Sequence, residues 1–551
     1  MTVRSPFDDI DIPDVGLPEF LFSDLSGDED KVAVIDGPSG REMTFGELAH
    51  GVDRFAAALG ERGLGRGDVI ALFAPNNAYY PLVFHGGLAA GVAVSTVNAL
   101  YTPDEVAFQL RDSGSKILVT VSAFLDRARA AVAEEGVVVS EIVLIDAARD
   151  DASTPLPENA LADLLTTTAE RPSLAVTGDD VAALPYSSGT TGRAKGVVLT
   201  HRNLIANLLQ VQTMGTHVSS STKILAVLPF FHIYGMTCMM NQGLHSRAAV
   251  VTMPKFDLAE FLRIISEYRV DRVYVAPPIA VALAKHPMVE EYDIDCVDIV
   301  FSGAAALDAE LGHAMGKRLN CTVLQGYGMT ELSPVSHCMP DDRPDMDLSS
   351  IGVALPNVEC KLVDPETGEE GSRGELWVRG PNVMREYLNN ADATSSTLDG
   401  DGFLHTGDVA TVTDEGVFYI VDRVKELIKY KGYQVPPAEL ESLLLTNDAI
   451  ADAAVIGVKD ADGEEIPKAF VVKQQGVELS EDDVMSFVAE RIAPHKKVRV
   501  VEFIDEIPKS GAGKILRKDL RAREQAPRRG PDPRFRSADL RQRGMPDVRS
   551  L

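Results

Sequence analysis

From about Lys31 onward, short runs of β-branched and aliphatic residues alternate with stretches whose apolar positions recur at helical spacing. VAVID (32–36) is followed by a helix entering at Thr44, then by DVIALF (68–73) and a second helix. That alternation predicts parallel sheet covered by helices, because parallel neighbours need a crossover connection. Thr44 with Glu47, and Thr102 with Glu105, have the spacing at which a hydroxyl and a carboxylate cap a helix start reciprocally, and Pro103 stands at the first helical position of the second pair. Further strands are predicted at KILVTV (116–121), KILAVLPF (223–230), AAVVTM (248–253), RVYVA (272–276) and TVLQGYG (322–328).

After about Gly371 the texture changes. ELWVRG, FLHTGDVATV and GVFYIVDRV are short strands separated by Gly/Asp turns, as in an antiparallel or barrel-like appendage. Beyond Arg423, PPAELESLLL reads as a helix, AAVIGVKDADGEEIPKAFVV as a hairpin and SEDDVMSFVAERI as a helix opened by Ser480. The predicted fold is therefore α/β: a large N-terminal domain of helix-covered sheets with a small barrel-like part (residues 1–424) and a mobile small α+β domain (425–522). Residues 523–551, rich in Arg, Pro and Gly with little apolar periodicity, read as a disordered tail.

Composition narrows the function. At 551 residues with 45% hydrophobic content, the chain is long enough for more than one core. Its formal charge of −29 argues against nucleic acid as a partner, since phosphate-backbone affinity needs a basic field, so any anionic substrate must be met by local cations. The five cysteines, at 238, 296, 321, 338 and 360, lack zinc spacing and cannot all pair, which suits reduced thiols. The acidic N-terminus lacks the order of a signal peptide, and no apolar run approaches the roughly 20 residues that span a bilayer. A cytoplasmic protein without membrane insertion, monomeric or homodimeric, is expected.

YSSGTTGRAKGVV (186–198) lies between the apolar run VAALPY and a predicted strand GVVLT, with a helix beginning near Thr200. Glycines let consecutive N–H groups point into one concavity, and Ser187, Ser188, Thr190, Thr191 and Lys195 add donors for phosphate oxygens. Gly189 and Gly192 do not have the GxxxxGK[ST] spacing, so this is not a Walker A loop. From composition alone, a Gly/Ser-rich surface turn fits equally well.

Four further segments stand in a fixed order after this loop: PFFHIYG (229–235), QGYGMTE (325–331), LHTGD (404–408) and DRVKELIKYKGYQVPPAELE (422–441). They are followed by KSGAGKILRKDL (509–520). Together the segments resemble the adenylate-forming superfamily of acyl-CoA synthetases, adenylation domains and beetle luciferases over about residues 25–522. FHIYG, SGAA (302–305), GYGMTELSPV and VDRVKELIKYKG are most similar to the 4-coumarate–CoA ligase group. The resemblance implies ATP, Mg2+ and coenzyme A as cofactor and co-substrates, and a two-step reaction through an acyl-adenylate.

Carboxylate attack on the α-phosphorus brings two anions together, so the site must neutralise and align rather than supply an unusual nucleophile. The resemblance carries roles to individual residues. Thr330 becomes an α-phosphate donor and Glu331 the metal ligand. Gly303, Ala304, Ala305, Gly326, Tyr327 and Gly328 face the adenine and acyl group, while Asp408, Ile420 and Arg423 face the nucleoside. Lys514 bridges the carboxylate and α-phosphate in the first half-reaction. Lys429, Lys431, Gly432 and Gln434 belong to the second, Lys425 is the hinge, and His232 borders the carboxylate and gates the CoA path. Taken singly, each has a blander reading: Glu331 as a helix cap, Asp408 as an Asx-turn residue, His232 as a satisfied core histidine and Lys514 as a solvated loop lysine.

The acyl pocket implied by the same resemblance is lined by Tyr234, Gly235, Cys238, Ala304, Ala305, Gly326, Gly328, Pro334 and Val335, a small, flat and mostly apolar set that suits a planar aryl-propenoic acid. Medium- or long-chain fatty acyl-CoA ligases share the catalytic segments and are the alternative. Phe301 stands where plant relatives often have a lysine that reaches the ring hydroxyl, so unsubstituted cinnamate-like acids are expected to be accepted at least as well as hydroxylated ones. Arg193-Ala194 and Glu386 also depart from the family pattern without removing a phosphate donor.

Overall fold

The computed structural model describes residues 2–146, 159–187, 194–214, 218–305, 307–343, 345–424, 426–430, 433–460, 465–492, 494–509 and 514–525. Both predicted capping boxes are present: Thr44 caps Phe45–Glu61 with Glu47, and Thr102 caps Pro103–Ser113 with Glu105. A third, Thr200 with Asn203, opens His201–Thr213 directly after the strand Lys195–Thr200.

The alternating strands divide between two nine-stranded sheets. The first is centred on Ala93–Thr96, Val69–Phe73, Ile117–Thr120 and Glu141–Leu144, all parallel, with Val181–Ala183 and then Lys195–Thr200 added at one side. The second runs in space Val335–Cys338, Thr322–Gly328, Ile299–Ser302, Arg272–Val275, Lys223–Ala226, Ala249–Thr252 and Val32–Asp36. Val32–Asp36 thus joins a strand more than 200 residues later in the chain, a pairing no local pattern specifies. A continuous core of buried side chains fills the space around both sheets.

Lys223–Ala226 is shorter than the apolar run KILAVLPF. Asn76 Nδ2 takes the carbonyls of both Ala226 and Leu228 at 2.9 Å, which peels the chain off the ladder at that point. The barrel-like part is a five-stranded antiparallel sheet containing Glu359–Val363, Arg373–Arg379, Leu404–Val412 and Phe418–Arg423.

The C-terminal portion pairs Ile450–Lys459 with Glu465–Lys473 as the predicted hairpin and adds Val500–Phe503 in parallel. Helices Pro437–Leu445 and Glu481–Ala489 pack on it, the latter capped by Ser480. The last helix, Arg517–Gln525, runs past residue 522, where the sequence alone starts the tail. It continues because Leu520 is buried against Ile504, Ile507 and Phe470, and because Glu524 pairs with the buried Lys468. Residues 526–551 lie outside the described residues.

Candidate active site

The C-terminal ends of the second sheet's strands open into loops held by buried polar side chains. After Thr322–Gly328 the chain makes a tight turn, Thr330–Leu332, and returns as Val335–Cys338. Asn207 donates to Val335 O at 2.7 Å and accepts from its N–H at 3.1 Å. Asn382 donates to the carbonyls of Leu332 and Val335 at 3.0 and 2.9 Å, and Thr237 donates to Ser333 O at 2.9 Å. These bonds hold Glu331 so that its Oε1 accepts from Ser187 Oγ at 3.0 Å and from the Tyr387 hydroxyl at 2.7 Å. The Lys195 ammonium lies 4.5 Å from the centre of the Tyr387 ring. Ser187 and Lys195 are cross-strand partners, so the strands on either side of residues 188–193 bring a hydroxyl to Glu331 and a cation over the Tyr387 ring that also bonds Glu331.

The antiparallel sheet supplies a second acid. Asp408 and Arg423 are register partners, with Arg423 Nε 3.0 Å from Asp408 Oδ1. The Tyr327 hydroxyl donates to Asp408 Oδ2 at 2.6 Å, and burial followed by the Asp408 charge pushes that phenol well above its ordinary range, so it stays a donor. Gly407, at φ 73°, gives the strand the left-handed residue this bend requires, and its N–H donates to Glu375 Oε1 at 2.9 Å.

His232 sits on a loop pinned from the first sheet: Asn76 Oδ1 accepts from Phe230 N–H at 2.7 Å, and Thr96 Oγ1 donates to Phe231 O at 2.9 Å. Its Nδ1 accepts from the Tyr234 N–H at 3.2 Å. Burial, aided by the nearby Lys514 charge, lowers its pKa to about 4, so the ring is neutral at pH 7. Lys514 comes from the small domain, on a loop closed by a bridge between Lys509 and Ile515 and by Leu516 N–H donating to Pro508 O at 2.8 Å. Burial first, then Arg423, lowers the Lys514 pKa, while Asp408 and Glu331 oppose that shift. All three acidic and basic groups therefore act on one ammonium.

A cleft of about 460 Å³, counting its open mouth, lies between these elements. It brings together His232, Tyr234, Gly303, Ala304, Gly326, Tyr327, Gly328, Thr330, Pro334, Val335 and Lys514, along with Ile233, Phe301 and Met329. The glycines are matched to its walls: a Cβ on Gly303 would lie 2.8 Å from the Tyr234 ring, and one on Gly326 would lie 3.0 Å from the Phe301 ring.

Three expected pocket residues fall outside this lining. Ala305 faces solvent beyond the strand end, whereas Cys238 and Gly235 are buried behind Tyr234, with Gly235 against the Pro229 carbonyl. Ile420 is half-buried on the strand that carries Arg423. Ser188, Gly189, Thr190, Thr191, Gly192, Lys425, Lys431 and Gly432 lie outside the described residues. Lys429 and Gln434 are backbone partners in a short hairpin. Sequence reasoning missed Tyr387, Asn207 and Asn382. Each is a single polar residue whose partners lie far along the chain, so no spacing marks it.

Residues 22–388 match the family described as "AMP-binding enzyme", and residues 439–514 match "AMP-binding enzyme C-terminal domain". The chain belongs to the AMP-binding enzyme family. This AMP-binding enzyme is 40% identical over 534 residues to 4-coumarate-CoA ligase 1 of Narcissus pseudonarcissus, covering 94% of the chain and 96% of that protein. It is 40% identical over 538 residues to 4-coumarate–CoA ligase 1 of Arabidopsis thaliana, covering 94% and 95%. Among solved structures, ATP-bound MatB from Rhodopseudomonas palustris matches with a TM-score of 0.83 at 29% identity, covering 93% of this chain and 99% of that one. The anthranilate CoA ligase AuaEII in complex with anthranoyl-AMP matches with a TM-score of 0.83 at 25% identity, covering 93% and 98%. The chain is thus an acyl-CoA ligase of the adenylate-forming type, an acid–thiol ligase, and use of ATP and CoA fits its family. Among the described residues, no helix is long and apolar enough to cross a membrane.

Proposed function

We propose that this AMP-binding enzyme joins an aryl-propenoic acid of the coumarate or cinnamate type to coenzyme A. The carrying observation is the cleft itself: aromatic and apolar walls from Tyr234, Phe301 and Val335, backbone-lined faces at Gly303 and Gly326, and Lys514 with neutral His232 bordering it. Aromatic and apolar walls of this kind suit a planar conjugated acid.

In the first half-reaction a carboxylate oxygen attacks the α-phosphorus. A new P–O bond forms as the bond to the bridging oxygen breaks, and pyrophosphate leaves with the electron pair. Lys514 places a cation where negative charge gathers between carboxylate and phosphate, and Thr330 offers a hydroxyl to the same phosphate. Asp408, held by Arg423 and Tyr327, accepts from the ribose hydroxyls. In the second half-reaction the CoA sulfur attacks the acyl carbon, AMP leaves with the bonding pair, and the thiol proton passes to solvent. Neutral His232 borders that path without adding a charge.

Glu331 fits a magnesium ion: it is a hard oxygen donor beside the phosphate-loop strands. Among the described residues no cluster of three or more acidic, His or Cys side chains completes a cage, so the remaining ligands would come from phosphate and water, as Mg2+ favours. When bound, that ion neutralises charge on the triphosphate. Pyrophosphate release and thioester formation over a panel of aryl and fatty acids, with and without CoA, test the reading. Aryl-propenoic acids should lead in kcat/KM, and long-chain fatty acids outpacing every aryl acid would overturn it.

A further inference from the structure

Asp408 stands at a break in its strand ladder. Glu375 pairs with Val409 and Trp377 pairs with His405, so Leu376 alone lies opposite Thr406, Gly407 and Asp408. Extra residues in one strand make a bulge, which bends the chain and re-aims a side chain but takes backbone groups out of the ladder. Here those groups find other partners. The Gly407 N–H donates to Glu375 Oε1 at 2.9 Å, and the Gly407 carbonyl accepts from the Val424 N–H at 2.8 Å. The Asp408 N–H donates to Thr406 Oγ1 at 3.1 Å, and the Thr406 hydroxyl donates to Leu376 O at 2.7 Å.

Glu375 is itself held in place. Its Oε2 accepts from Trp377 Nε1 at 3.0 Å, and the Trp377 ring lies flat on His405, with centres 3.7 Å apart and planes 12° apart. Glu375 and Trp377 share the half-buried face of their strand, while Leu376 and Val378 point into the core. One carboxylate oxygen is therefore fixed by the indole, and the other grips the peptide that precedes Asp408. On the far side of that peptide, Val424 directly follows Arg423, the register partner and ion-pair partner of Asp408. Both charged residues of the nucleoside pair thus adjoin a single clamped peptide at Gly407.

We propose that Glu375 is a positioning residue for the nucleotide: through Gly407 it fixes the direction in which Asp408 presents its carboxylate to the ribose hydroxyls. The inference rests on the reading of Asp408 as the ribose acceptor and adds the residue that aims it. It is independent of which acid is activated. A carboxylate is the side chain that can accept two N–H bonds at once in this position. An amide offers one acceptor oxygen and turns its own NH2 toward the second N–H donor.

Steady-state kinetics of Glu375→Ala, Glu375→Gln, Asp408→Asn and the Glu375→Ala, Asp408→Asn double variant test this. The nucleotides are ATP, 2′-deoxy-ATP and 3′-deoxy-ATP, with the acid that the wild type turns over fastest. The wild type should prefer ATP to at least one deoxynucleotide by roughly 10-fold or more in kcat/KM, the scale of a lost hydrogen bond to a charged group. Glu375→Ala should raise KM for ATP roughly 10-fold and shrink that preference to about threefold or less, with Glu375→Gln in between. KM for the acid, and kcat with ATP, should stay within about twofold. In the Asp408→Asn background, Glu375→Ala should add less than about twofold, because the two residues act through one contact. A preference that Asp408→Asn loses but Glu375→Ala keeps overturns the role of Glu375 alone, as does a KM for the acid that rises as much as KM for ATP. A preference that the wild type lacks, or that Asp408→Asn leaves intact, overturns the ribose reading of Asp408 and this inference with it. Trp377 is the chain's single tryptophan, so its emission reports whether Glu375→Ala folds. If that variant does not fold, Glu375→Gln decides by the same ratios.

Discussion

Lys514 reaches the cleft as a cation surrounded by charges of both signs, and the balance of burial and Arg423 against Asp408 and Glu331 lowers its pKa below the ordinary 10.5. Only the protonated form can bridge two anions. Pyrophosphate release without CoA should therefore fall as pH rises through an ionisation below 10.5, and Lys514→Arg should move that fall upward. An unchanged alkaline limb in Lys514→Arg would remove Lys514 from the first half-reaction. Lys514→Ala should abolish adenylate formation while still consuming a supplied acyl-adenylate. Asp408→Asn tests a different contact. It keeps the side chain's size but loses the charge that holds Arg423 and accepts from Tyr327, so KM for ATP should rise about tenfold or more, the scale of a lost charged hydrogen bond. An unchanged ATP KM would place Asp408 outside the nucleotide site.

Among the elements, the segment that carries Lys514 is anchored from below by ion pairs. Arg517 donates to both carboxylate oxygens of Glu441, at 2.8 and 2.6 Å, and Glu441 also accepts from the Val455 N–H at 2.7 Å. Arg521 pairs with Glu426, the residue that follows Lys425. These contacts tie the last helix to the start of the small domain and set where its preceding loop emerges. Glu441→Gln keeps an acceptor for Val455 but strands Arg517, a change that costs about 3–5 kcal/mol when a buried partner is removed. Hydrogen exchange should show residues 437–525 loosened and the large sheets unaffected. Equal protection in both regions would make the ion pair dispensable. The predicted capping boxes belong to the same scale and were legible because each needs only four residues. By contrast, the end of the strand at Ala226 was not legible, since Asn76, about 150 residues earlier in the chain, takes its carbonyls.

At the scale of the whole molecule, burial lowers the pKa of five histidines among the described residues: His85 and His337 to about 3, and His201, His232 and His245 to about 4. In each case burial dominates. Folded pKa values below the unfolded 6.5 mean that the unfolded chain takes up protons first as pH falls, so stability held above 6.5 is lost between 6.5 and about 4. Thermal unfolding should show Tm dropping across that window, with a shallower drop in His337→Gln. A Tm that is flat from pH 6.5 to 4.5 would mean these rings are not excluded from protonation.

The sequence by itself determined the parts whose physics is local: strand and helix periods, caps, the order of the six motif segments, and the residue types that an adenylating site needs. The resemblance carried by the motif segments also named most of the cleft's lining, though not Ile233 or Met329, and it placed Gly235, Cys238 and Ala305 there as well. Tertiary structure alone decided that the alternating strands divide between two sheets, that Val32–Asp36 closes beside Ala249–Thr252, and that Tyr387 and Ser187 converge on Glu331. It also decided that Arg272 is buried. These are long-range pairings and burials, fixed by which faces pack together, and a pattern read along the chain has no access to a neighbour that arrives from a hundred residues away.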